Sequence, residues 1–511
     1  MPSVADDIVL DGESLTRNDI GAIACDDVPV RLAATARRQV EAARAVVDVK
    51  AAGDAAVYGV NTGFGSFAET RIAASELAVL QVNLLRSHAA GVGELLPAPA
   101  VRAMMALRAN VLARGHSGIR TETLDLLIAM LNRGVTPVVP SRGSVGASGD
   151  LAPLAHLALV LIGEGETLDA HGRRQPGAAA LSGAGLSPVT LAPKEGLALI
   201  NGTQASTAVL ALAVLEAERL ARAADVVAAL SIDALRGSTR PFQARIHAAR
   251  PHDGQRISAA NIERLLADSQ INASHADCGR VQDAYSERCA AQVHGACRDA
   301  LAFVAGTVER EANASTDNPM VFADSGDIVS GGNFHGAPVA VAADLLAIGV
   351  AQLATISERR SERLVNPALS GLPAFLTRNG GLESGLMLAQ VTAAALTSEI
   401  KPLSHPASVD TIPTSANKED HVSMSMAAAL KASRVVDLAT HVVAVELLCA
   451  AEAIDLLAPL RSSGPLMRVH DAVRALVARR DADRPPAPDL DALARMIRTG
   501  ALDHIARLYV N

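Results

Sequence analysis

Long stretches of this chain repeat apolar residues at intervals of three and four, and that period restricts it to a small set of folds. Arg31 to Ala52, Glu76 to Ala90, Ala98 to Ala113, Glu195 to Leu230, Glu287 to Asn313, Ala337 to Val365, Ser384 to Lys401 and Met424 to Leu460 all read as helices. Several exceed twenty residues, which argues for an all-α bundle of long helices rather than repeated strand–helix–strand units. Composition agrees. There is no Trp and aromatic residues make up only 2%, so the core must be built from Ala, Leu and Val, which let helices approach closely. With 511 residues the chain is too long for one small core, and two or three subregions are expected.

The charge balance of −8 offers no basic stripe to phosphates and argues against nucleic acid. The cysteines Cys25, Cys278, Cys289, Cys297 and Cys449 are odd in number, far apart and without a C-x-x-C pair. They read as free thiols in a reducing compartment. The first residues carry no basic segment followed by an apolar run, so a cytoplasmic protein without a signal peptide is expected. Ala337 to Ile356 is apolar enough to raise the question of a membrane, but Asp344 lies within it. A central Asp alone costs about 2.5–3.5 kcal/mol on insertion, so the stretch reads as a buried core helix.

Strand-like pieces are short: Val57 to Val60, Thr136 to Val139 and Ile328 to Ser330. The connections Asn61 to Ser66, Ser141 to Gly149 and Ser330 to Asn333 are rich in Gly, Asn and Ser, and rigid rods often display function on such loops. A Pro-rich stretch from Arg484 to Pro488 reads as a linker. Gly63 to Ala68 matches G-x-G-x-x-A, yet no alternating strands and helices follow, so a dinucleotide site is not supported. His405 and His421 have no ligand-like neighbours in the sequence, and no metal site is expected.

The segment Pro140 to Leu151, P-S-R-G-S-V-G-A-S-G-D-L, allows two readings. It serves as a turn that leads into a helix Leu151 to Ile162, with Asp150 as its cap. It also holds an unusual chemical possibility. In Ala147-Ser148-Gly149 the glycine nitrogen can attack the alanine carbonyl and close a five-membered ring. Loss of two waters, one carrying the serine hydroxyl, leaves an exocyclic methylidene, an electrophile. Small residues permit the tight fold, and Gly143, Gly146 and Gly149 supply them. The positive end of the following helix would favour charge that develops there.

This segment resembles the signature of the histidine and aromatic amino-acid ammonia-lyases, which form a methylidene-imidazolone from Ala-Ser-Gly. The similarity extends in order over Y-G-V-N-T-G-F-G from Tyr58, K-E-G-L-A-L-I-N-G-T-Q-A-S from Lys194, V-Q-D-A-Y-S-E-R-C from Val281, E-A-N-A-S-T-D-N-P from Glu311, G-G-N-F-H from Gly331 and P-T-S-A-N-K-E-D-H-V-S-M from Pro413. The resemblance implies an autocatalytic electrophile made from Ala147, Ser148 and Gly149, with no external cofactor. It implies Tyr58, one of three tyrosines, as the base that removes the β-proton. The ordinary phenol pKa of about 10 would have to fall for that role. Tyr285 joins the catalytic group, Arg288 pairs with the substrate carboxylate, Asn201 and Gln282 hold electrophile and substrate, and Phe334 lines the site.

The substrate is legible at four positions. Ser87-His88 resembles the pair found in histidine ammonia-lyases, where tyrosine and phenylalanine enzymes usually carry His-Leu or Phe-Leu. Glu419 stands where the aromatic lyases usually have Gln, and a carboxylate can accept an imidazole N–H. Met387 matches the histidine type and offers a soft contact to a ring. L-Histidine is therefore the expected substrate and trans-urocanate the product. Tyrosine or phenylalanine elimination and a 2,3-aminomutase outcome are the alternatives. The chain departs from the family pattern at Lys418, at Ile400 and in Arg360 to Pro367, where an apolar run is usual. The resemblance also implies a fumarase/aspartase-like fold with an N-terminal region (1–205) carrying the precursor, a central long-helix bundle (206–425) and a C-terminal helical layer (426–511). A homotetramer, with each active site drawing on three subunits, completes the expectation.

Overall fold

Helices form where the apolar period is longest. In the computed structural model, which describes residues 7–169, 171–276 and 279–506, the longest rods are Gln204–Ala234, Ala290–Ala312, Ala337–Val365 and Ser425–Leu456. Among the described residues, strands occur only as short pieces in two- and three-stranded sheets. The fold is all-α. Cys278 lies outside the described residues.

The chain divides into two compact units, each assembled from separated segments. The first comprises Met1–Leu212, Ala305–Asp344 and Pro406–Leu430; the second comprises Ala213–Val304, Leu345–His405 and Lys431–Asn511. In the first unit Ala98–Ala113 is buried continuously from Ala100 to its end. Its small residues allow Arg17–Cys25, Ala34–Ala52 and Thr121–Asn132 to pack against it. In the second unit, Val435 to Ile454 of the helix Ser425–Leu456 buries nearly all of its apolar side chains, as the centre of a bundle requires. Ala337–Val365 is long and apolar enough to cross a membrane by composition, but 61% of its most apolar window is buried inside the protein.

Several expected elements change at places that bear on the site. The period read through Glu195 to Leu230 is interrupted at Asn201-Gly202-Thr203, giving helices Glu195–Ile200 and Gln204–Ala234. Glu287 to Asn313 is likewise divided into a single turn, Tyr285–Arg288, and the rod Ala290–Ala312. Val57 to Val60 is a turn, not a strand. The Asn61 side chain accepts from the Val57 N–H at 2.7 Å and donates to the Ala55 carbonyl at 2.9 Å, which curls the segment back on itself. Thr136 to Val139 keeps strand pairing only at Thr136–Pro137. The Pro-rich stretch is already entering the helix Ala487–Arg498, with a proline in its first turn, where a missing N–H costs nothing.

Candidate active site

Ala147-Ser148-Gly149 lies in the first unit, in a loop shaped by close backbone approach. Gly149 has φ +72°, and a Cβ there would stand 2.3 Å from the Gly202 carbonyl oxygen. The neighbouring Asp150 N–H donates to that same oxygen at 2.7 Å. The break after Asn201 is what frees this carbonyl from helical pairing. Gly146 is equally crowded, with a hypothetical Cβ 2.2 Å from Ser425 Oγ. Its carbonyl accepts from Ser423 Oγ at 2.9 Å, while the Met424 N–H donates to Val145 O at 2.8 Å. Any larger residue at either glycine would push the loop away from its supports.

Asp150 does not cap its own helix, contrary to the turn reading. Its side chain makes no cap hydrogen bond to Leu151–Leu161. Instead one carboxylate oxygen accepts from Ser144 Oγ at 2.7 Å, and the other from Ser206 N–H at 2.7 Å and Ser206 Oγ at 2.8 Å. Asp150 is fully buried, and that burial raises its pKa despite these donors. The carboxylate thus ties the precursor loop to the first turn of the helix Gln204–Ala234. Nearby, Thr203 Oγ1 donates to Glu311 Oε1 at 2.6 Å, and burial raises Glu311 as well.

The same unit brings Ser148, Glu419 and Asn201 into direct contact. Ser148 Oγ donates to Glu419 Oε1 at 2.6 Å, and Asn201 Nδ2 donates to Ser148 O at 3.1 Å. Asn201 Oδ1 is buried without a hydrogen-bond partner. Glu419 Oε2 accepts from Thr414 Oγ1 at 2.5 Å and Ser415 Oγ at 2.8 Å. Burial works against the Glu419 charge, but the donors Ser148, Thr414 and Ser415 and the nearby His88 together hold its pKa below the ordinary value. It is a carboxylate at neutral pH.

His88 is half-buried, and its burial lowers the imidazole pKa, partly countered by its bond to Leu84 and the field of Glu419. Its Nδ1 lies 2.9 Å from the Leu84 carbonyl and 3.0 Å from Ser87 Oγ. A carbonyl can only accept, so Nδ1 carries the proton and Nε2 is left with a lone pair. Tyr58 is half-buried beside Phe64, edge to face at 6.4 Å. Burial raises its pKa, a backbone hydrogen bond at Gly65 offsets part of this, and Glu419 raises it further. These influences run against the lowering that the expected role as base calls for. Phe334 is half-buried in the loop before Ala337–Val365.

The remaining expected residues lie in the second unit. The Arg288 guanidinium sits 4.6 Å from the centroid of the Tyr285 ring, a cation over an aromatic face. Tyr285 is 70% exposed. Arg288 and Gln282 line a cleft of about 600 Å³ together with Arg236, Arg240 and Arg280. The lining also holds Asp283, which pairs with Arg280 at 3.3 Å, so the four arginines leave an excess of positive charge that suits a carboxylate. Met387 is half-buried at the start of the helix Met387–Leu403. Lys418 is exposed.

Sequence reasoning missed the supports: Ser144, Ser206, Ser423, Thr414 and Ser415. Each is a hydroxyl in or beside a quoted motif, but only the folded chain shows which carboxylate or carbonyl it reaches. Among the described residues no group of three or more His, Cys, Asp or Glu side chains is placed to hold a metal ion.

Known proteins resemble this chain over nearly all of its length. The family described as aromatic amino acid lyase matches residues 15–475. A histidine ammonia-lyase of Anaeromyxobacter sp. (strain K) is 56% identical, the match covering 97% of this chain and 99% of that protein. One from Gloeobacter violaceus is 55% identical over 98% of each. Among solved structures, the histidine ammonia-lyase of Trypanosoma cruzi superposes with a TM-score of 0.92 at 46% identity, covering 99% of this chain and 96% of that one. The tyrosine aminomutase of Streptomyces globisporus gives 0.93 at 38% identity, covering 99% of each.

Proposed function

The chain belongs to the aromatic amino acid lyase family, and from that premise we propose that it eliminates ammonia from L-histidine to give trans-urocanate. The observation that carries the choice of substrate is the Glu419 carboxylate, whose Oε1 contacts the Ser148 hydroxyl that cyclisation would remove, leaving that oxygen free beside the electrophile. The Glu419 acceptor suits a ring that bears an N–H and would be left unpaired by a phenyl ring. The similar fold of an aminomutase means that backbone shape alone does not separate the outcomes. The higher identity to histidine ammonia-lyases supports elimination.

The reaction needs an electrophile, and the residues present fit a methylidene-imidazolone formed from Ala147, Ser148 and Gly149. Gly149 meets Gly202 too closely for a side chain, Asn201 holds the Ser148 carbonyl, and the orphaned Asn201 Oδ1 can accept a further bond. When formed, this group supplies an electrophilic carbon that makes the substrate amine a better leaving group. Arg288 binds the carboxylate bidentately, with Gln282 and Tyr285 beside it. Glu419 accepts from the imidazole N–H, His88 borders the ring with Ser87 supporting it, and Phe334 and Met387 shape the ring pocket. Tyr58 takes the β-proton as the carbon–nitrogen bond breaks.

Tyr58 needs positive charge close by to ionise, because its own chain raises its pKa. A cytoplasmic homotetramer supplies it, with the arginine-lined cleft of one subunit serving the precursor loop of another. The exposure of Tyr285 supports this sharing. The reading is tested by offering purified protein histidine, tyrosine and phenylalanine separately and identifying products by absorbance and mass. Urocanate from histidine, without a β-amino acid, is expected. Cinnamate or coumarate as the main product would overturn it.

A further inference from the structure

The segment Arg360-Ser361-Glu362-Arg363, where the chain departs from the family's apolar run, acquires a purpose in the second unit. Arg360 and Arg363 lie three residues apart on the helix Ala337–Val365 and so share one face. Arg360 is fully buried. Its Nε and Nη2 bind Glu446 at 2.5 and 2.9 Å, and its Nη1 donates to the Ser286 carbonyl at 3.2 Å. Arg363 Nε donates to Glu287 Oε1 at 2.9 Å. One helix face therefore grips two consecutive residues of the turn Tyr285–Arg288.

Glu287 is an expensive choice for that position. It is 1% exposed, and its Oε2 is buried without a hydrogen-bond partner, against Gly237. An apolar side chain of similar size would serve stability as well or better. What an ion pair adds is direction. The residue that benefits is its neighbour, Arg288, whose Nε is buried and unpartnered and which lines the arginine-rich cleft.

We propose that Glu287, clamped by Arg363, is a positioning residue that fixes the turn so that Arg288 presents its guanidinium to the substrate carboxylate. This rests on the proposed role of Arg288. The turn has only four residues, too few to hold its own geometry. Its orientation comes from outside, through Arg363 on one residue and Arg360 on the one before.

Two imidazole ligands separate the claims: urocanate, which keeps the carboxylate, and histidinol, which lacks it. Arg288→Gln is expected to weaken urocanate inhibition and leave histidinol unchanged. Arg363→Met and Glu287→Gln should raise the KM for histidine about 10- to 100-fold with kcat within about threefold, and show the same selectivity for urocanate. Arg363→Lys should recover most of the loss. If a single variant fails to fold, the pair Glu287→Leu with Arg363→Leu removes both charges without stranding one, and should still lose urocanate selectively. Should Arg288→Gln be selective while the Glu287 and Arg363 variants bind both ligands normally, or lose both equally, the positioning claim is wrong. Should Arg288→Gln itself lack selectivity, the role of Arg288 fails first, and the positioning claim with it.

Discussion

The precursor loop and the Arg288 turn are both short, and they are held by opposite means. Backbone grips the loop. Gly146 and Gly149 approach neighbouring atoms more closely than any side chain would allow, and main-chain bonds run from Asp150 to Gly202 and from Met424 to Val145. Buried charge grips the turn, with Arg360 and Arg363 reaching Ser286 and Glu287. The contrast fits the chemistry proposed for each. A peptide proposed to close on itself would need its own main-chain atoms fixed, whereas a proposed anchor for a carboxylate would need only its side chain aimed.

Breaking the charged grip should have the largest effect on stability. Arg360→Met leaves the fully buried Glu446 carboxylate with Ser231 alone, and stranding one member of such a pair costs about 3–5 kcal/mol. Urea unfolding should show a lower midpoint, and an unchanged midpoint would mean the turn is held by packing. Gly149→Ala tests the backbone grip. With φ +72° and a contact at 2.3 Å, the loop must shift, and turnover should fall about 100-fold or more. Near-normal turnover would show that close approach is not required. Glu419→Gln probes a finer point, since it preserves shape and removes charge. Its activity on histidine should fall about tenfold more than any activity on phenylalanine, and equal losses would remove Glu419 from ring recognition.

The long rods were legible because their apolar period is strong: Ala98–Ala113 and Ala337–Val365 begin and end where the pattern does. The interruptions at Asn201 and Cys289 were not, because residues on both sides keep a helical period. Those breaks serve partners distant in the chain, a glycine loop in one case and two arginines in the other. The candidate residues were legible as motif members. Their supports were not, since a serine such as Ser206 gives no sign in sequence that it will bind Asp150. The ordinary-looking expectation for Tyr58 also needed the fold. Only its burial beside Glu419 shows that the single chain disfavours the phenolate.

The central claim is that Ala147-Ser148-Gly149 becomes an electrophile, and mass spectrometry of the peptide that contains it tests this most directly. In active protein the peptide is expected to weigh two water molecules less than its sequence, and Ser148→Ala is expected to abolish both that deficit and turnover. An unmodified peptide mass in fully active protein would contradict the account.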